Sequence, residues 1–141
     1  IEGCTKTGVK LTTVTPIVNE AARDKEIMAE AKKTGLWTNI LDAKKAVKET
    51  DFVYTDTWID MEFFTDPKFA AEKKKRLKQM MPYQINASLL KESSAYVMHD
   101  MPIHRGYEIS AEVIDYPNAV IYEQAENRLY SAKAILLKIS E

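Results

Sequence analysis

The sequence predicts an α/β fold: a three-layer α/β/α arrangement around a doubly wound, five-stranded parallel sheet of Rossmann-like type. Three observations predict it. Five short runs rich in apolar and β-branched residues recur along the chain. Stretches with helical spacing separate them, and that alternation builds a parallel sheet covered on both faces. No internal repeat, low-complexity segment or Gly/Ser/Pro-rich linker interrupts the 141 residues, a length that suits one domain.

Each element has its own signal. Val9-Lys10-Leu11-Thr12-Thr13-Val14 alternates and is β-branched, which predicts the first strand. Asn19 is placed to cap a helix reaching Lys33, and Gly35 to stop it. Leu36-Trp37-Thr38-Asn39-Ile40 is the second strand, and Asp42 caps a short helix from Ala43 to Lys48. Phe52-Val53-Tyr54-Thr55 is the third strand. Lys68 to Met80 reads as a charged amphipathic helix that Pro82 ends. Its Glu72-Lys73-Lys74-Lys75-Arg76 run reads as a solvated face. Ala87 to Leu90 is a short helix, Tyr96-Val97-Met98 the fourth strand, Ala111 to Ile114 another short helix. Ala119-Val120-Ile121-Tyr122 is the fifth strand, followed by a closing helix from Gln124 to Ile139. Leu129, Ala132, Leu136 and Ile139 follow helical spacing there and read as core.

Composition excludes several function classes. Lys and Arg number 20 against 21 Asp and Glu, so the net charge of −1 offers no field for nucleic acid or an acidic membrane. No apolar run approaches the roughly 20 residues that span a bilayer. Ile1 to Thr15 lacks the basic-then-apolar order of a secretion signal. Cys4, the single cysteine, cannot form an internal disulfide, as expected of a protein in the reducing cytoplasm. One Cys and two His are too few for a structural zinc site. The four glycines never form G-x-G-x-x-G, which argues against a dinucleotide-binding domain. The chain opens on Ile1 and not on Met, as a processed or excised piece does.

In parallel sheets, ligands sit beyond the carboxyl ends of the strands. The residues in question are Thr15-Pro16, Asp56, His99-Asp100 and Glu123. Three constellations follow from them. In Thr55-Asp56-Thr57-Trp58-Ile59-Asp60-Met61-Glu62, several carboxylates at one strand end would attract an ammonium group. Equally, Asp56 could cap a turn while Asp60 and Glu62 face water, and Trp58, Phe63 and Phe64 could either wall a pocket or lie buried under the loop. In Met98-His99-Asp100-Met101-Pro102-Ile103-His104-Arg105-Gly106, a His beside a carboxylate fits a general base, or a hydrogen-bonded structural residue. A metal there lacks a third nitrogen or sulfur ligand. In Glu123-Gln124-Ala125-Glu126-Asn127-Arg128, an Arg in the first turn of a helix could complete an anion site, or pair with Glu123 or Glu126.

Together these segments resemble the second, Asp/Orn-binding domain of the aspartate/ornithine carbamoyltransferase family, closest to its ornithine-type members. That family carries T-D-x-W followed by x-S-M-G, then M-H-C-L-P-x-H-R-G-x-E, then x-E-A-E-N-R. Here the corresponding residues are Thr55 to Glu62, Met98 to Glu108, and Tyr122 to Arg128. Smaller matches are Pro82-Tyr83-Gln84-Ile85-Asn86 and Glu112-Val113-Ile114-Asp115. The family's other domain binds carbamoyl phosphate through Ser-Thr-Arg-Thr-Arg and His-Pro-x-Gln segments, and neither occurs in the 141 residues. The resemblance therefore implies one domain, residues 1–141, that binds the second substrate while carbamoyl phosphate is shared with an N-terminal domain.

The resemblance also implies roles. Asp56 holds the substrate amino group, with Asp60 and Met61 at the Ser-Met positions that also contact it. Asp100 and Met101 stand at the Cys-Leu positions, whose carbonyls face the reacting amine, and His99 and Pro102 flank them. Arg128 reaches carbamoyl phosphate and stabilises developing negative charge. No metal or organic cofactor is needed, and the isolated domain is expected to be inactive. The partners are an amino acid or amine and carbamoyl phosphate, with no nucleic acid or membrane. The full-length protein is expected to be a cytoplasmic homotrimer or higher homo-oligomer. The charge-adding replacements Asp60, Glu62 and Asp100 point away from a substrate carboxylate and toward an extra ammonium or amidine. A non-catalytic module that binds an amino acid or amine on the same fold is the rival reading.

Overall fold

A computed structural model describes residues 1–17, 23–59 and 65–141. The chain divides into two compact units, Ile1–Ala46 and Val47–Glu141. The class is α/β and Rossmann-like: in each unit the paired strands run parallel and helices connect them.

The first unit holds α1 (Glu2–Lys6), β1 (Leu11–Thr13), α2 (Lys25–Thr34) and β2 (Trp37–Asn39), and runs into α3 (Ala43–Lys48). The short first helix has no apolar stripe and was not predicted. The two strands pair in parallel, Leu11 opposite Trp37 and Thr13 opposite Asn39. Both are shorter than their sequence runs, because only Leu11–Thr13 and Trp37–Asn39 find a ladder partner. Trp37 is buried, and its indole N–H donates to Thr13 Oγ1 at 3.1 Å. The expected cap Asn19 lies outside the described residues. Asp24 caps α2, accepting from the N–H groups of Glu26 and Ile27 at 2.9 and 3.0 Å. Gly35 ends the helix in the left-handed region with φ 70°, a conformation that glycine adopts without a Cβ clash. Asp42 caps α3 as expected, through Lys45 N–H at 3.0 Å.

The second unit holds β3 (Phe52–Thr55), a 3-10 turn (Pro67–Phe69), α4 (Ala70–Met80) and a second 3-10 turn (Met81–Tyr83). Then follow α5 (Ala87–Leu90), β4 (Tyr96–His99), α6 (Ala111–Ile114) and α7 (Ile121–Ile139). Strands β3 and β4 pair in parallel from Phe52–Tyr96 to Thr55–His99. The core gathers Ile85, Leu90, Val97, Ile109, Val113, Ile114 and Ile121, with Val53, Met101, Ile103 and Ala119 against it. Helix α4 buries no residue, in keeping with its charged sequence.

Two expectations are corrected here. The fifth run, Ala119 to Tyr122, is a single parallel bridge between Ala119 and Val97, after which the chain turns into α7 at Ile121. A short apolar run fits a buried strand or a buried helix start equally well; here Gln124 N–H returns to Val120 C=O at 2.9 Å, closing a helical turn with Ile121 in the core. Leu129, Ala132, Leu136 and Ile139 are exposed, not core; Leu136 and Ile139 are 60% and 74% exposed. Helical spacing supplies an apolar stripe, but a stripe becomes core only where another element covers it.

Candidate functional site

Parallel register places two carboxyls side by side. Thr55 is the ladder partner of His99, so Asp56 and Asp100 are the next residues on neighbouring strand ends. Strand spacing then puts their backbones about 5 Å apart. Asp56 accepts the N–H of Thr57 at 2.6 Å, and the Thr57 hydroxyl donates to Pro102 C=O at 3.1 Å. The loop after β3 is thus tied to the loop after β4. Burial, opposed by the Thr57 N–H, and then the charge and hydrogen bonding of Asp100, push the Asp56 carboxyl above its ordinary value.

The loop after β4 is built around His99, which is fully buried. Met101 N–H donates to His99 Nδ1 at 2.8 Å, which assigns the ring proton to Nε2. Nε2 faces Glu108 Oε1 at 3.4 Å, a long contact. Glu108 is itself 1% exposed and accepts His104 N–H at 2.6 Å. Burial pushes the Glu108 carboxyl up, yet hydrogen bonds from His99, from His104 N–H and from its own N–H together hold it below the ordinary glutamate value. The structural reading of His99 therefore describes its contacts: it shapes the loop. Met101 sits at φ 61°, a left-handed conformation that costs a side-chain-bearing residue about 1–3 kcal/mol. Its N–H bond to His99 holds it there, and the Met101–Pro102 peptide is cis.

Asp100 Oδ1 lies 3.3 Å from His99 Nδ1, a nitrogen whose lone pair is already taken. Among the described residues that buried oxygen has no hydrogen-bond donor. Gln84 closes the other side of the segment, donating to the carbonyls of Gly106 and Tyr107, each at 2.9 Å. Gly106, at φ 85°, makes the turn that returns the chain to Glu108.

Arg128 donates from Nη1 to Asp100 C=O at 3.1 Å and pairs with neither Glu123 nor Glu126. Because α7 begins at Ile121, Arg128 stands two turns inside it and not in its first turn. Helical side chains lean toward the N-terminus, which is how the guanidinium reaches the strand ends. Glu123 is exposed in the first turn of α7 and not at a strand end, and Thr15-Pro16 belongs to the first unit. Asp60, Met61 and Glu62, with Phe63 and Phe64, lie outside the described residues. Trp58 is buried, and its carbonyl accepts from Arg76 at 3.3 Å.

Three residues at the site were not singled out from sequence. Glu108 gives its signal only once His99 is known to be buried. Tyr54 follows the alternation of β3 onto an exposed face; burial and then the charges of Asp100 and Asp56 push its phenol up, against a hydrogen bond from Gln124 and the charge of Arg128. Gln124 accepts His99 N–H at 3.0 Å. Its signal was its place four residues before Arg128. Among the described residues no group of three or more His, Cys, Asp or Glu side chains is placed to hold a metal. No described helix is long and apolar enough to cross a membrane.

The family described as "Aspartate/ornithine carbamoyltransferase, Asp/Orn binding domain" matches residues 1–139. The chain belongs to that family. Its relatives include the ornithine carbamoyltransferase of Archaeoglobus fulgidus, 42% identical over 136 residues that make up 94% of this chain and 42% of the relative. The ornithine carbamoyltransferase of Methanopyrus kandleri is 44% identical over 79% of this chain and 35% of its own length. Among solved structures, ornithine carbamoyltransferase from Pyrococcus furiosus superposes with a TM-score of 0.76 at 36% identity, over 94% of this chain and 42% of that one. The anabolic enzyme from Campylobacter jejuni gives 0.78 at 29% identity, over 97% and 45%. The chain thus spans about two-fifths of the length of the carbamoyltransferases it matches.

Proposed function

We propose that this chain is the second-substrate-binding domain, residues 1–141, of a carbamoyltransferase that moves a carbamoyl group from carbamoyl phosphate to the amine of ornithine or a related amine. The observation that carries the reading is the convergence of Asp56, Asp100 and Arg128 on adjacent strand ends, in a chain of the carbamoyltransferase family. Asp56 accepts hydrogen bonds from the substrate amino group. Asp60 and Met61 extend that contact. Asp100 and Met101, flanked by His99 and Pro102, border the reacting centre. Arg128 has five N–H donors and spends one on Asp100, which leaves others for a carbamoyl or phosphate oxygen.

The neutral amine nitrogen attacks the carbamoyl carbon. The bond from that carbon to the bridging oxygen breaks, phosphate leaves with the bonding electrons, and the proton given up by the amine ends on the departing phosphate. Charge accumulates on the carbamoyl and phosphate oxygens, where a guanidinium is most effective. Carbamoyl phosphate is held jointly with a carbamoyl-phosphate domain outside these residues, in a cytoplasmic homotrimer or higher homo-oligomer.

The carboxylates set the substrate class. Unit charges about 4 Å apart interact by about 4 kcal/mol at an effective dielectric of 20, so Asp56 and Asp100 together disfavour a nearby substrate carboxylate. An amine with an extra positive charge, or without a carboxylate, is the expected substrate. The test compares kcat/KM for L-ornithine, putrescine and agmatine in the full-length protein and its Asp100→Cys and Asp60→Ser variants. Putrescine or agmatine should lead in the wild type, and the substitutions should move the ranking toward ornithine. If ornithine is best and neither variant shifts the order, the charge argument fails. If no amine is carbamoylated, the protein is an amine-binding module instead.

A further inference from the structure

We propose that Gln124 is a positioning residue: it docks the helix that carries Arg128 onto the end of β4 and so sets where the guanidinium lies relative to Asp56 and Asp100. The inference rests on the role given to Arg128 above.

The ladder on the α7 side of β4 shows why a side chain is needed. Val97 N–H donates to Asn118 C=O at 2.8 Å, and Val120 N–H donates to Val97 C=O at 2.9 Å. A continuing parallel strand would next offer the carbonyl of Val120 to the N–H of His99. The chain turns into α7 instead, and Val120 C=O accepts Gln124 N–H at 2.9 Å, closing the first helical turn. The N–H of His99 would then be left without a ladder partner inside a buried strand end. Gln124 Oε1 takes it at 3.0 Å. One turn along the same face, Arg128 Nη1 takes the next main-chain group that matters, the carbonyl of Asp100 at 3.1 Å. Two side chains four residues apart thus replace the missing strand and grip two consecutive residues. Gln124 therefore ties α7 to the end of β4, at the level of the carboxylates.

An unanchored arginine samples many rotamers, and its helix is otherwise exposed from Glu126 onward. A misplacement of about 1 Å at a reacting centre can cost a factor of about 10² in rate. Loss of Gln124 should therefore be felt in the transition state and not in ground-state binding of the amine.

The experiment uses the full-length protein with Gln124→Met, which keeps length and loses the hydrogen bond to His99. Gln124→Asn, one methylene shorter, is the second variant, and Gln124→Glu is the conservative rescue that keeps the acceptor oxygen. The readouts are kcat and KM for the best amine, and amide hydrogen exchange at His99 by NMR. Gln124→Met and Gln124→Asn should lower kcat about tenfold or more, leave KM for the amine within threefold, and speed exchange at His99. Gln124→Glu should keep His99 protected and recover most of kcat. A wild type that transfers carbamoyl groups, with unchanged kcat in Gln124→Met, overturns the positioning role and leaves the proposed function standing. A wild type that carbamoylates no amine removes the proposed function. Unchanged His99 exchange in Gln124→Met and Gln124→Asn overturns the docking itself in either case.

Discussion

Asp56 and Asp100 stand together because β3 and β4 are parallel and end level, with Thr55 opposite His99. The closeness has a titration consequence. The Asp56 carboxyl is raised by burial and by Asp100, so it becomes an effective acceptor for an ammonium only at a pH above the ordinary aspartate value of 3.8. In the full-length protein the acid limb of KM for the amine should therefore lie above that value, and Asp100→Asn should move it down; an unmoved limb would show the two carboxyls to be independent. Arg128 carries a second expectation at this scale. Arg128→Ala should slow transfer by roughly 10²-fold or more, the scale for removing one donor to a developing oxyanion. Its melting temperature should change little, because the side chain is exposed and gives up one hydrogen bond. Full activity in Arg128→Ala would remove Arg128 from the reaction.

Among the elements, the segment from β4 to α6 is the most constrained. Its turns answer to one buried pair, His99 and Glu108, and to Gln84 across from them. Replacing Glu108 by Ala leaves the His104 N–H without its acceptor and removes the carboxylate facing His99 Nε2, at about 1–3 kcal/mol for a buried group left unpaired. Denaturant unfolding of Glu108→Ala should show a loss of that order. The pH dependence follows from the depressed Glu108 carboxyl. Its stabilisation is complete above the unfolded-state value near 4.5 and is lost as pH falls through the lower folded value. In Glu108→Ala that part of the acid dependence should vanish. A milder case is the start of α2. Asp24→Ala removes the acceptor for two N–H groups and should cost about 1 kcal/mol, read as a lower urea midpoint. No change would mean that water caps the helix equally well.

For the whole molecule, a cleft that must align two reactants and exclude water cannot be assembled from one wall. The purified 141-residue chain should therefore show no turnover of carbamoyl phosphate with ornithine, putrescine or agmatine. Clear turnover would mean that these residues bind both substrates. The apolar side of α7 belongs to this scale too. Leu129, Leu136, Leu137 and Ile139 are more than half exposed on the chain by itself.

The sequence by itself determined the α/β class, the parallel pairing of four of the apolar runs, the caps at Asp42 and Gly35, and Asp56 and Asp100 at two neighbouring strand ends. These are local properties: β-branching, spacing and capping chemistry act within a few residues, and a motif keeps its order whatever it packs against. Only the tertiary structure decided that Ile121 opens a helix instead of lying in a fifth strand. Both states bury the same side chain, and the packing of α7 against β4 chooses between them. The same holds for the exposed stripe of α7, whose periodicity is silent about whether anything covers it. It holds as well for Arg128, which sequence put at a helix start and the structure puts two turns in, reaching back to Asp100. The roles of Glu108 and Gln124 were not legible for a related reason: each satisfies a polar group whose burial is set by the assembled core, not by the neighbours along the chain.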